Sequence, residues 1–166
     1  TLNGRDTRLI LSADTTWENF VPMVNITRAH GRAHRLEWDI FKLPHHCSYL
    51  SLSDKKGKTI TTPVDEVGWL FEDQGADGAI AVSCSDPIPT DDTDQPPHRQ
   101  AANYYRQLVA GKRGQFKVTM EHPTVRRPEP LVITIDRFGP TPKKPTAAAS
   151  TIVTGQQAPR AGSDSV

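Results

Sequence analysis

Two places in the sequence carry side chains able to hold a metal where a fold could aim them together. Asp14 directly follows the apolar run LILSA, and His45-His46 follow the run DIFKLP. Carboxylate oxygen and imidazole nitrogen both suit zinc, and the same mixture suits manganese or iron. A single Asp has two oxygens and can bridge two ions. A bridged pair holds a hydroxide near neutral pH and clamps the attacking and leaving oxygens of a displacement. Each residue also has a plainer reading. An Asp just before a helix commonly caps it, and a His-His pair in a loop is commonly solvated or hydrogen-bonded. Residue type and spacing leave both readings open.

The elements that must position these residues follow from periodicity. Residues 7–13 (TRLILSA) form a short apolar run and predict a buried strand. Trp17, Phe20, Val21 and Val24 then repeat at i, i+3, i+4 and i+7, one face of a helix that fades by Gly31. Thr15 and Glu18 have capping-box spacing, and Pro22 is expected to kink or restart that helix. Residues 36–43 predict a second strand ending at the His pair. The polar stretch 49–62 predicts a loop or broken helix, 64–71 a short helix, and 79–84 (AIAVSC) another buried strand. Residues 85–97, with four Pro and four Asp, predict a long functional or disordered loop. Pro96-Pro97-His98 opens a helix through about Leu108, since proline is tolerated at a helix start. Residues 116–120 and 131–135 predict two strands pairing as a hairpin. Residues 140–166 have almost no large apolar side chains and predict a disordered tail. The expected organisation is one α/β domain over 1–139 and the tail over 140–166. Open α/β sheets place ligands at the C-terminal ends of their strands, where Asp14 and His45-His46 fall.

The pair LILSADTTWEN and DIFKLPHHCS resembles the metallo-β-lactamase superfamily. It is similar to the branch found in hydrolase domains of bacterial DNA-uptake channel proteins and in small stand-alone hydrolases. The resemblance implies an αββα sandwich of which this chain is the C-terminal half. It implies Asp14 as the carboxylate bridging two zinc ions and His46 as a ligand of the second. His45 then either supports the ligand from behind or contacts and assists substrate, although the two histidines could be exchanged. A third stretch, SCSDPIPTDDTDQPPHRQAANYYRQL, resembles the family segment in which a His at a helix start approaches the site, and His98 matches that residue. There it could contact a phosphate or leaving group beside the free N–H groups of the helix, or it could be an ordinary first-turn residue. The implied reaction is cleavage of a phosphodiester or related ester by a metal-bound hydroxide. Together the matches cover about residues 7–136.

The sequence departs from the family in two ways. The His-x-His-x-Asp-His motif that supplies most of the ligands is absent. His30 and His34 are spaced i, i+4, but they flank Gly31 in a basic turn and read as solvated. Cys47 stands where the family has Gly, a residue that could crowd a tight turn or add a soft ligand, and reads as a small buried residue. Half of a sandwich exposes the sheet face meant for its other half. The expected partner is therefore the missing N-terminal half or a second copy of the chain. With one Asp and one His this chain alone holds metal weakly, because zinc sites need three or four ligands. The alternative is a non-catalytic, truncated or degenerate interaction module.

Bulk composition narrows the classes. The charges nearly cancel, 20 basic against 19 acidic, which argues against broad capture of nucleic acid or anionic membrane. The runs RAHGRAHR and Arg126-Arg127 supply local positive charge, a weaker basis for nucleic-acid hydrolysis. Cys47 and Cys84 make no disulfide framework and no zinc spacing. Reduced thiols in a cytoplasmic protein are expected, with Cys84 in the core. No apolar run approaches the roughly 20 residues of a membrane helix, and no signal-peptide pattern opens the chain. The chain opens at Thr1 and enters a strand almost at once, so an upstream segment is expected.

Overall fold

The computed structural model describes residues 6–144. The chain is mixed α/β, with a four-stranded parallel sheet and three helices. Strand β1 (Leu9–Leu11) leads into helix α1 (Trp17–Ala29), then β2 (Trp38–Lys42), helix α2 (Asp65–Glu72), β3 (Gly75–Ser83), helix α3 (Arg99–Gly111) and β4 (Gln115–Val118). The sheet order is β1-β2-β3-β4, every pair parallel. Parallel neighbours in sequence order, each joined by a right-handed crossover, put all the connecting helices on one face. The core shows that arrangement: Phe20 and Val24 of α1, Leu70 and Phe71 of α2, and Tyr105 and Val109 of α3 pack with Phe41, Ala79 and Ala81 of the sheet. Phe71 stands at its centre, with ring centroids 4.8 Å from Phe41, 5.2 Å from Tyr105 and 6.2 Å from Trp38.

Trp38 joins this side although Ile40, two residues on, faces the other way. The register slips between them: Trp38 lies opposite Gly75, and Ile40 opposite Ile80. Gly75 permits the close approach, because a β-carbon there would meet the Trp38 ring at 2.7 Å. The indole N–H of Trp38 donates to the Leu70 carbonyl at 3.1 Å, so its one polar atom is satisfied at full burial.

The second face of the sheet is covered in part. Ile40, Ile80 and Val82 are buried there beneath Leu131 and Ile133. Ile133 begins β7 (Ile133–Asp136), which forms an antiparallel hairpin with β8 (Gly139–Pro142); two two-residue strands, β5 (Pro123–Thr124) and β6 (Arg127–Pro128), pair ahead of it. Leu9 and Leu11 of the edge strand lie opposite Ile40 and Lys42 and stay 53% and 70% exposed.

Several expectations change. The strand over 7–13 shortens to three residues. The expected hairpin between 116–120 and 131–135 does not form: β4 pairs in parallel with β3, and β7 pairs with β8. The reason is burial, since Phe116 and Val118 extend the parallel core while residues 131–135 fold back over the second face. The capping box is also absent, because the N-cap of α1 is Thr16 and makes no side-chain cap bond. Helix α1 runs through Pro22 without a break. The loop 85–97 is pinned: Lys56 Nζ pairs with Asp92 at 2.8 Å, and the Ile88 N–H donates to Glu121 at 2.8 Å. The boundary expected at 139/140 falls inside the β7–β8 hairpin. The rest of the expected tail, 145–166, lies outside the described residues. Among the described residues no helix is long and apolar enough to cross a membrane.

Candidate functional site

Parallel strands in sequence order bring their C-terminal ends into one row, and the expected site residues lie along it. Asp14 comes three residues after β1, and His45 and His46 follow β2. The strand tips are tied together, because the His45 N–H donates to the Ala13 carbonyl at 3.0 Å. This juxtaposition leaves His46 Nε2 3.8 Å from Asp14 Oδ1, with both side chains more than half exposed.

The His46 ring is held from behind. Its Nδ1–H donates to the Cys84 carbonyl at 2.7 Å, just past the end of β3. That bond fixes the tautomer and leaves the Nε2 lone pair on the Asp14 side, the arrangement in which a carbonyl orients a metal-binding histidine. Asp14 does not cap α1, whose N-cap is Thr16, so its carboxylate is not committed to the helix.

The turn carrying His46 adopts an uncommon conformation. His45, His46 and Cys47 have φ of 47°, 51° and 66°, three consecutive residues in the left-handed region. Each costs about 1–2 kcal/mol outside glycine, and such strain persists only where surrounding contacts over-determine it. The Cys47 thiol is fully buried and hydrogen-bonded to Ser83, and the Cys47 carbonyl accepts from the His98 N–H at 3.1 Å. Burial pushes the Cys47 thiol up to about 12, which keeps it a protonated, buried thiol in the metal-free chain.

His98, expected to approach a substrate, is 2% exposed and caps α3 through its backbone position. Its Nδ1 accepts from the Tyr49 N–H at 3.4 Å, its Nε2–H donates to the Asp94 carbonyl at 3.4 Å, and its ring meets Tyr49 edge-on. Burial holds its pKa below the ordinary histidine value. His98 thus braces the loop 85–97 against the His45–Cys47 turn and presents no free ring nitrogen. The physical reason is its place at the buried start of α3. His45 is half-buried, and its Nδ1 is buried with no hydrogen-bond partner.

Beside His46 opens a cavity of about 350 Å³ lined by Cys84, Ser85, Asp86, Pro96, Pro97, Thr119 and Met120. Ser85, Asp86, Pro96 and Pro97 belong to the loop 85–97 expected to be functional or disordered, whereas Cys84, Thr119 and Met120 were not expected at a site. Cys84, Ser85, Asp86, Thr119 and Met120 directly follow β3 and β4, where the strand-tip rule that singled out Asp14 and His46 also applies, and Pro96 and Pro97 close the wall from just before α3. Cys84, expected in the core, lines the cavity half-buried. His30 and His34 lie beyond the far end of α1, away from this row. Among the described residues no group of three or more His, Cys, Asp or Glu is placed to hold a metal ion. The chain matches no protein family, no curated protein and no solved structure.

Proposed function

We propose that this chain is part of a metal-dependent hydrolase, the C-terminal half of a metallo-β-lactamase-like sandwich, acting on a phosphodiester or related ester. The observation that carries the reading is the 3.8 Å approach of His46 Nε2 to Asp14 Oδ1 at neighbouring strand tips, beside an open cavity. Two donor atoms of a tetrahedral zinc ion lie about 3.4 Å apart at bond lengths near 2.1 Å. The pair needs only a few tenths of an ångström to share an ion. The donors are one hard oxygen and one imidazole nitrogen with its second nitrogen already satisfied, which suits zinc and also manganese or iron. They amount to half of a site, and the remaining ligands would come from a second, N-terminal half packed on the exposed side of the sheet, where Leu9 and Leu11 lack cover.

An ion bound there supplies Lewis acidity and lowers the pKa of water. The chain's own contribution is positional. Asp14 offers a second carboxylate oxygen to an adjacent ion. The Cys84 carbonyl holds the His46 tautomer. His45 lies within the same turn; its Nδ1 is buried, so it would assist a substrate proton only through its other ring nitrogen, while His98 acts as a positioning residue through Cys47 and Asp94. The cavity walls receive the part of the substrate beyond the scissile bond.

A second reading, a non-catalytic interaction module, is favoured by the two-ligand count and by the exposed apolar strand edge. A zinc titration separates the two. Saturable zinc binding lost in both Asp14→Ala and His46→Ala supports the hydrolase; binding unchanged by both substitutions leaves the interaction module.

A further inference from the structure

The run RAHGRAHR has no part in the strand-tip row. Helix α1 starts beyond the C-terminal end of β1 and returns toward the start of β2, so this run lies at the opposite, N-terminal end of the strands. It folds as the last turn of α1, Gly31 at φ 64°, and a single 3₁₀ turn over Ala33–Leu36. Arg32 and Arg35 are three residues apart, the spacing that puts side chains on one side of such a turn. With His30 they line a pocket of about 250 Å³ whose remaining walls are Ile26, Thr27 and Leu36.

Two observations separate this pocket from an ordinary basic turn. Arg8, Arg113 and Arg127 have carboxylate partners, Arg28, Arg106 and Arg137 lie over aromatic rings, and Arg99 and Arg126, which have neither among the described residues, stand singly and not as a pair lining a pocket. Arg32 and Arg35 have no ion pair or ring partner among the described residues. Beside these two free guanidiniums Ile26 is 60% exposed, an isoleucine that the core does not use. His30 Nδ1–H donates to the Ile26 carbonyl at 2.8 Å, which fixes the ring; Nε2 then carries the lone pair and donates to an anion only in the protonated imidazolium, so the two guanidiniums are the main anion contacts. Basic residues at a helix C-terminus also complement the helix dipole, but a dipole asks for neither a pocket nor an apolar wall. Paired guanidiniums match a tetrahedral dianion through forked hydrogen bonds, and Ile26 with Leu36 suits an apolar group attached to it.

We propose that the pocket formed by His30, Arg32, Arg35 and Ile26 binds a phosphomonoester carried on an apolar body. The site is independent of the metal reading and stands if that reading fails.

The test is amide NMR of the whole chain titrated with phenyl phosphate, with inorganic phosphate and with a short single-stranded oligonucleotide at matched ionic strength. Phenyl phosphate is expected to shift signals over residues 26–36 saturably, and inorganic phosphate to bind there about tenfold more weakly because it buries no ring. Arg32→Gln and Arg35→Gln are each expected to lower the phenyl phosphate affinity about tenfold, the worth of a charged hydrogen bond. Ile26→Ser should abolish the preference for phenyl phosphate without weakening inorganic phosphate. Asp14→Ala should change none of these. The proposal is overturned by shifts that do not saturate or lie elsewhere, by undiminished affinity in both Gln variants, or by an oligonucleotide that binds this pocket more tightly than phenyl phosphate.

Discussion

At the scale of single residues, the two cysteines and His98 make separable predictions. Cys47 is fully buried and its pKa is raised to about 12, whereas Cys84 is half-buried on the cavity wall. Thiolate, not thiol, reacts with alkylating agents. Native protein treated with iodoacetamide is therefore expected to be modified at Cys84 alone, with Cys47 modified only after denaturation; mass spectrometry showing early loss of Cys47 would contradict its placement. His98 is buried neutral with its pKa lowered by desolvation. The unfolded chain binds the proton more readily, so stability falls as pH drops below the unfolded value of about 6.5. Above that value the contribution is complete. Denaturant midpoints measured from pH 7.5 down to pH 5 should decline less steeply in His98→Gln than in the parent chain, and identical slopes would show that His98 is not buried neutral. These environments were only partly legible in the sequence. Asp14 and His46 could be singled out because they follow apolar runs. The burial of His98 could not, because it depends on Tyr49 and Asp94, which local periodicity does not connect to it.

At the scale of elements, the helical face of the sheet rests on Phe71. The ring touches aromatic neighbours from α1, β2 and α3 at once, so little around it can collapse into a vacancy. Phe71→Ala is expected to cost about 3–5 kcal/mol, read as a drop in urea midpoint with an unchanged slope. A loss under about 1 kcal/mol would mean that the three helices do not share one core. The sequence announced most of these elements. The 3.6-residue spacing of Trp17, Phe20, Val21 and Val24 marks α1, and AIAVSC marks the buried half of β3. The first four residues of β3, Gly75 to Gly78, were missed because Gly and Asp are poor strand formers; tertiary pairing with Trp38 outweighs propensity there. The partner of residues 131–135 was also misjudged. A polar turn between two short apolar runs is compatible with a hairpin, and nothing local reveals that the first run belongs to a parallel sheet.

At the scale of the whole molecule, the described residues cover one face of the sheet with helices and the other only in part. Helices cover the first. The β7–β8 hairpin covers the middle of the second and leaves Leu9 and Leu11 exposed at the edge. Apolar strand edges of this kind are association sites. Leu9→Ser with Leu11→Ser is expected to change the stability of the chain alone by no more than about 0.5 kcal/mol, as for surface positions generally. The same pair should abolish association, either with a second copy or with a co-expressed sheet-bearing half. Sedimentation velocity reads this directly. A parent chain that stays monomeric at high concentration and pairs with no such half would remove the case for a missing layer. The parallel order of the sheet was foreshadowed by strands alternating with helices, whereas the one-sided placement of those helices required the strand order itself.

The hydrolase proposal requires the Asp14 carboxylate and the His46 imidazole to share a metal ion at adjacent strand tips. Paramagnetic broadening of amide signals by added manganese(II) reads this most directly, because it locates even weak binding. The expected result is broadening centred on residues 13–15, 45–47 and 84–86, lost in both Asp14→Ala and His46→Ala. Broadening that spares those residues, or that survives both substitutions, would contradict it.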